Sequence, residues 1–366
     1  MSPRQHNRVY GRYETVHPAS QRRNKARYMG RGMTRRASIR DVAAAAGVSI
    51  ATVSKVLRGD LTVTSDYAAR VRAAVLRLDY RIDPLAANLR RGQRTLIGVI
   101  APDFENPFFG GVIAALESVA EREGFALVAM SSWEDPAREA ELIGRMRDWR
   151  VAGVVIAPTD DGARAAALLQ GFGLEATLID RAAPNAAFDT VRADDETAAG
   201  AVADSLLDAG HRRVLLVGST PDLPNIAARV AGFQARAAAR GMEASVAFCG
   251  LDKASMGPLL AAQIDAGPQP TAIFSLYLPG LMAMLAEARR RGWRRPQDVT
   301  LVSFDDADWM ALADPPIAAV GQPVRAMGLE AMRLLMARIR GDKAAPRAHA
   351  LPCRFETRGA IAPPPD

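Results

Sequence analysis

Catalysis has few candidates in this sequence. Its 366 residues include four histidines and two cysteines. His6 and His17 lie in an arginine-rich leader with hardly any aliphatic residues, and His211 stands in Gly210-His211-Arg212-Arg213 ahead of a strand, with no evident partner for general-base work. Cys249 and Cys353 are too few for a disulfide framework or a zinc cage, and are expected to pack as small hydrophobes. No G-x-G-x-x-G follows a strand, and there is no P-loop and no nucleophile elbow. The sequence therefore gives no reason to expect an enzyme, a cofactor or a metal site.

The chemistry that it does support is electrostatic. Residues 1 to 94 hold 20 Lys or Arg against 6 Asp or Glu, whereas residues 95 to 366 hold 27 against 34. The net charge of +7 thus conceals a basic head on an acidic body. Such a head suits a polyanion, because neutralising phosphates releases counterions and gives salt-dependent affinity.

Short helices must position that charge. Ser38 followed by Asp41 makes a capping-box start, after which Ile39, Val42, Ala43 and Ala46 recur at helical spacing. Gly47-Val48-Ser49 breaks the run, and Ser49 can cap a second helix that turns Val53, Val56 and Leu57 to one face and directs Ile50, Ala51, Thr52 and Lys55 elsewhere. Two short helices joined by a glycine-containing turn form a helix-turn-helix. A third helix is predicted from about Ser65 to Leu78 with Thr64 as its cap, and Pro84 opens a short segment, Leu85 to Arg91, ending at Gly92.

From Thr95 onward, apolar runs alternate with amphipathic patterns of 10 to 17 residues. The runs are 96–101, 125–130, 151–157, 176–179, 214–217, 245–248, 272–274 and 299–304. This alternation predicts parallel sheet with helices on both faces, and the length predicts two lobes with a ligand cleft at the strand carboxyl ends. The expected organisation is a disordered basic extension over 1–33, a helix-turn-helix domain over 34–82, a hinge helix and linker over 83–94, a two-lobed domain over 95–358, and a Pro-rich tail over 359–366. The extension is read either as a phosphate-gripping tail or as an over-extended start ahead of Met29 or Met33.

Over residues 38 to about 358, the chain resembles the LacI/GalR family of bacterial regulators. The resemblance rests on Ile39-Arg40-Asp41-Val42-Ala43, Ala46-Gly47-Val48-Ser49 and Thr52-Val53-Ser54-Lys55-Val56-Leu57. It continues through Leu96-Ile97-Gly98-Val99, Asn106-Pro107-Phe108-Phe109, Gly210-His211-Arg212-Arg213, Arg229 with Gly232-Phe233, Phe304-Asp305-Asp306 and Gln322-Pro323. It implies an all-α DNA-binding head and hinge helix, followed by a periplasmic-binding-protein-like domain of two parallel-sheet lobes that binds an effector and dimerises.

By the family's mechanism, Ile50, Ala51 and Lys55 face base edges in the major groove, where Lys can donate to guanine O6 and N7. Ser49, Thr52 and Ser54 are hydroxyls for phosphate contacts or caps. Leu89 takes the place of the leucine wedged into the minor groove, and Arg90 and Arg91 can hold nearby phosphates. Asp103, Asn106, Phe108, Arg229 and Asp305 are expected to line the effector cleft, as ligand contacts or as ion-pair partners between the lobes.

Three departures from the family pattern stand out. Tyr80 is followed by Arg81-Ile82-Asp83-Pro84 rather than one residue and Pro-Asn, Tyr277-Leu278 replaces an Asn-Asp pair, and Asp194-Asp195 replaces Asp-Asn. The second removes two groups that read hydroxyls.

The resemblance implies a cytoplasmic homodimer on a double-stranded, pseudo-palindromic DNA operator, answering to a small-molecule effector that is a sugar or sugar derivative, with no membrane role. It implies a repressor rather than an activator. A periplasmic solute-binding protein would share the two lobes, but would need a signal peptide and would have no use for residues 38 to 92.

Overall fold

The computed structural model describes residues 37 to 365 apart from 58, 61, 81 to 93, 182 and 184 to 186. The 1–33 extension and the hinge segment with Leu89, Arg90 and Arg91 lie outside the described residues. Those described form two compact units, one before and one after the hinge segment.

In the first unit, α1 (Ile39–Ala46), α2 (Ile50–Leu57) and α3 (Ser65–Arg77) close over Val42, Ala43, Ala46, Val53, Val71 and Ala74. The expected capping box is present. The Ser38 backbone N–H donates to the Asp41 carboxylate at 2.8 Å, and the Asp41 N–H donates to Ser38 Oγ at 3.3 Å. Gly47 ends α1 at φ +63°, a left-handed conformation that suits a residue without Cβ. Thr64 stands at the start of α3 without a side-chain cap bond.

The second unit contains two six-stranded sheets. The first lobe carries β1 (Leu96–Ala101), β2 (Ala126–Ser131), β3 (Gly153–Ile156), β4 (Ala176–Ile179) and β5 (Asp189–Ala193). The second carries β6 (Arg213–Gly218), β7 (Glu243–Phe248), β8 (Ala272–Ser275), β9 (Thr300–Phe304) and β10 (Ala318–Gly321). Each sheet gains a last strand from the end of the chain: β11 (Ala348–Leu351) joins the first lobe beside β5, and β12 (Arg354–Glu356) joins the second beside β10. The strand orders are β11-β5-β4-β3-β1-β2 and β12-β10-β9-β8-β6-β7, all parallel except the β10–β12 pair. Strands buried on both faces by helices explain the continuous apolar runs.

The chain crosses between the lobes after β5, after β10 and between β11 and β12. After the second crossing, the helix Val324–Ile339 packs Met327, Ala331, Leu334 and Leu335 into the first lobe's core. Four strands escaped the sequence reading. In β5, a charged residue interrupts the apolar pattern: Asp189 is buried there against Arg338, at 2.7 and 2.8 Å. β10 is short and small-sided, and β11 and β12 are half-exposed edge strands.

His211 is structural. It is fully buried, with Nδ1 at 2.9 Å from Thr271 Oγ1 and Nε2 at 3.0 Å from the Ala362 carbonyl, and burial lowers its pKa. That second contact, together with buried Ala360, packs the last residues onto the second lobe. Cys249 sits in the second lobe's core and Cys353 against both cores, with burial pushing both thiols up.

Candidate functional site

Two surfaces gather the chemistry, one in each unit. In the first, α2 buries Val53 and leaves Ile50, Ala51 and Lys55 exposed, with Ala51 and Lys55 one helical turn apart. Ser49 and Thr52 are engaged at the helix start. The Thr52 N–H donates to Ser49 Oγ at 3.1 Å, and the two hydroxyls lie 2.9 Å apart. Ser54 is half-buried on the same helix. The helix thus presents a lysine and small apolar groups on an otherwise capped, rigid element, as a base-reading surface requires.

In the second unit, a cavity of about 370 Å³ opens between the lobes, and Asp103, Asn106, Phe108, Arg229 and Asp305 all border it. Asp103 and Asn106 lie in the loop after β1, where the Asp103 carboxylate accepts from the Glu105 N–H at 2.8 Å and Asn106 Oδ1 caps the next helix from the Phe108 N–H at 3.0 Å. Phe108 is buried edge-on against Phe109, with ring centroids 5.0 Å apart. An adjoining apolar cavity of about 680 Å³, bordered by Met256, Pro258, Met282 and Ala286, has fewer groups to orient a polar molecule.

Arg229 is the hub of the cleft. It is 2% exposed, and its guanidinium stacks on Phe304 at 3.6 Å from the ring centroid. Nε donates to Asp195 Oδ1 at 2.8 Å and Nη1 to the Leu276 carbonyl at 2.6 Å, while Nη2 is buried with no partner. Asp180 and Asp305 add their charge around the same cation, so three carboxylates share one guanidinium. Asp305 accepts from Gln322 Nε2 at 2.6 Å and from the Leu278 N–H at 3.2 Å. Burial raises all three carboxyls, and Asp195 is pushed up to about 6.

The Tyr277-Leu278 departure is accommodated rather than left as a gap. Tyr277 donates its hydroxyl to the Gly250 carbonyl at 3.0 Å, and Leu278 contributes its backbone N–H to Asp305.

Sequence reasoning missed several groups that border the cleft. Arg181 clamps Glu134 through two bonds of 2.5 and 2.8 Å, and Asn225 Nδ2 donates to Asp180 at 3.3 Å. Trp133 is 70% exposed, under Arg138 at 3.7 Å. Trp133, Glu134, Asp180 and Asp305 all have positive φ, of 55°, 57°, 66° and 89°. Backbone strain in the second unit thus concentrates at the cleft. The Asp180-Arg181 pair carried a usable signal, since it follows the carboxyl end of a strand.

Two family models match the chain: "Bacterial regulatory proteins, lacI family" over residues 38–83 and "Periplasmic binding protein-like domain" over residues 203–361. The HTH-type transcriptional regulator PtxS of Pseudomonas plecoglossicida is 31% identical, across 89% of this chain and 96% of that protein. The chain belongs to the LacI family of bacterial regulatory proteins. The ribose operon repressor of Bacillus subtilis is another relative, 30% identical across 87% of this chain and 97% of that one. Among solved structures, the lac repressor dimer bound to operator and the anti-inducer ONPF superposes with a TM-score of 0.77 at 21% identity, covering 89% of this chain and 99% of that chain.

This LacI-family chain is thus a DNA-binding transcription regulator, with a helix-turn-helix and two parallel-sheet lobes. Among its described residues, no helix is long and apolar enough to cross a membrane.

Burial of Asp195 beside the guanidinium makes stability pH-dependent, because burial raises its pKa more than Arg229 lowers it. The Asp195 carboxyl titrates at about 6 in the folded protein against an ordinary 3.8, so the folded state binds more protons between these values. Its contribution to stability is fully present below the lower value and is lost as pH rises through the upper one. The window is worth on the order of 3 kcal/mol. Urea unfolding across it should show stability falling as pH rises, with a flatter profile in Asp195→Asn; parallel profiles would remove Asp195 as the titrating group.

Proposed function

We propose that this regulator is a cytoplasmic repressor that binds a pseudo-palindromic operator as a homodimer, and that a sugar or sugar derivative in the cleft changes its affinity for that operator. The observation that carries this reading is the meeting of Asp103, Asn106, Phe108, Arg229 and Asp305 at one polar cavity in a chain whose α2 exposes Ile50, Ala51 and Lys55. The relative named a ribose operon repressor favours repression and a sugar, and the lac repressor's solution as an operator-bound dimer favours a two-fold assembly. Specificity comes from Lys55 on a guanine edge and from Ile50 and Ala51 against apolar base edges. Ser49, Thr52 and Ser54 anchor the helix or the phosphates, and Leu89 and Arg90 of the hinge act in the minor groove and on the backbone.

The effector can shift operator binding only by its differential affinity for the two states, a coupling of about 1 to 3 kcal/mol. The coupling is reciprocal, so operator must change effector affinity by the same factor.

Lys55→Ala should weaken operator binding by about 1 to 3 kcal/mol and relax preference at one position of each half-site, while random DNA is bound almost as before. Fluorescence anisotropy with the chain's own upstream region, with and without candidate sugars, checks both halves of the reading. Equal losses on operator and random DNA would reassign Lys55 to the phosphates, and operator affinity indifferent to every sugar would remove the effector role.

A further inference from the structure

We propose that the ligand of this cleft is an uncharged polyol, and that Asp195 excludes sugar acids by occupying Arg229. The proposal rests on the reading of the cleft as the effector site and adds the charge class of the ligand.

Three cationic side chains border the cavity among the described residues: Arg181, Arg229 and Lys253. Each already holds a carboxylate. Arg181 pairs with Glu134, Arg229 with Asp195, and Lys253 with Glu105. Asp180 and Asp305 remain as further carboxyls on the same cavity. Whichever of these holds a proton, no positive charge is left over. A ligand carboxylate would be taken out of water without a free counter-charge, and an unpaired buried charge is strongly disfavoured.

The geometry of Arg229 leads to the same conclusion. A guanidinium clamps a carboxylate through two donors along one edge, either the Nε edge or the end formed by its two terminal nitrogens. Asp195 occupies Nε, so the Nε edge is not free for a two-donor clamp, and the Leu276 carbonyl takes one of the Nη1 hydrogens. Nη2 is buried and unpartnered, and suits a hydroxyl or ring oxygen. Gln322 Oε1 is also buried with no partner and needs a donor, which a hydroxyl supplies and a carboxylate does not. The bordering carboxyls likewise favour hydroxyls that donate.

Asp195→Asn keeps the side chain's shape while removing one of the three carboxylates that share Arg229, which makes the surroundings of the cavity less negative. Isothermal titration of the full-length protein at neutral pH, with three matched aldose and aldonate pairs (ribose and ribonate, glucose and gluconate, galactose and galactonate), separates the outcomes. The wild-type protein should bind the favoured aldose at least about tenfold more tightly than its aldonate, and Asp195→Asn should raise aldonate affinity by about tenfold or more. The wild-type comparison stands whether or not the variant folds, and circular dichroism checks the variant. A wild-type protein that binds an aldonate as tightly as its aldose, or a folded variant with no gain for aldonates, overturns the proposal and leaves the effector reading intact. Silence of all six probes in both proteins, with no effect on operator binding, overturns the effector reading itself.

Discussion

Arg229→Ala is expected to lower stability by about 3 to 5 kcal/mol at neutral pH, because it removes the cation shared by Asp195, Asp180 and Asp305 and leaves Asp195 buried without its ion-pair partner, while Asp180 keeps only Arg181. The residue is therefore more than a ligand contact. It joins the helix Asp195–Asp208 to the helix Pro224–Ala239 and to the Leu276 carbonyl, and it covers the face of Phe304. Combining the change with Asp195→Asn should recover part of the loss, since one of the stranded carboxylates is then neutral. Urea midpoints for the two single variants and the double variant give the coupling directly. Additive losses would show that the ion pair contributes nothing and that the guanidinium acts through Phe304 and the Leu276 carbonyl.

Gly232→Ala is the second large effect. Gly232 faces the backbone of Glu196 where the same two helices cross, and an added Cβ would lie 2.6 Å from Glu196 Cα and closer still to its carbonyl oxygen. No flexible side chain can give way there, so the helices must part. A loss of about 3 kcal/mol is expected, the upper part of the ordinary range for overpacking, despite alanine's better helix propensity. The consequence reaches the cleft. Arg229 lies one turn before Gly232, and Asp195 is adjacent to Glu196, so the close approach that glycine permits also brings the guanidinium to the carboxylate. Gly232→Ala should therefore lose ligand binding together with stability. A variant of unchanged urea midpoint would mean that the helices relax apart at no cost.

Much of this was legible because local chemistry repeats itself. Ser38 and Asp41 predicted the start of α1, Gly47 its end, and Ser49 the start of α2, since each cap satisfies backbone groups that a helix end otherwise leaves bare. All eight apolar runs in the second unit became strands, with ends that match or differ by at most two residues. Arg229 was placed at the cleft through family resemblance, yet its dependence on Asp195 was not foreseen. Asp194-Asp195 stood in the sequence only as a departure from a pattern, and its meaning lay 34 positions away. Trp133 and Glu134 were invisible for a different reason: their place at the cavity mouth depends on two consecutive left-handed backbone conformations, and tryptophan carries no preference for that region. The hinge residue Leu89 falls outside the described residues, so its wedge role stays a proposal.

The return of β11 to the first sheet sets a timetable for synthesis. The first lobe's edge strand is made more than 150 residues after β5, and the helix Val324–Ile339 that covers one face of that sheet is also made late. At about 5 to 20 residues per second, translation leaves the first sheet without that edge and that cover for roughly 10 to 30 seconds, longer than most elementary folding events need. The second lobe, apart from its own short edge strand β12, is encoded without such an interruption and can consolidate first. The lobe that is translated earlier thus waits longest for its edge, and until β11 docks it exposes the backbone of β5 as an unpaired edge to which a neighbouring nascent chain could add.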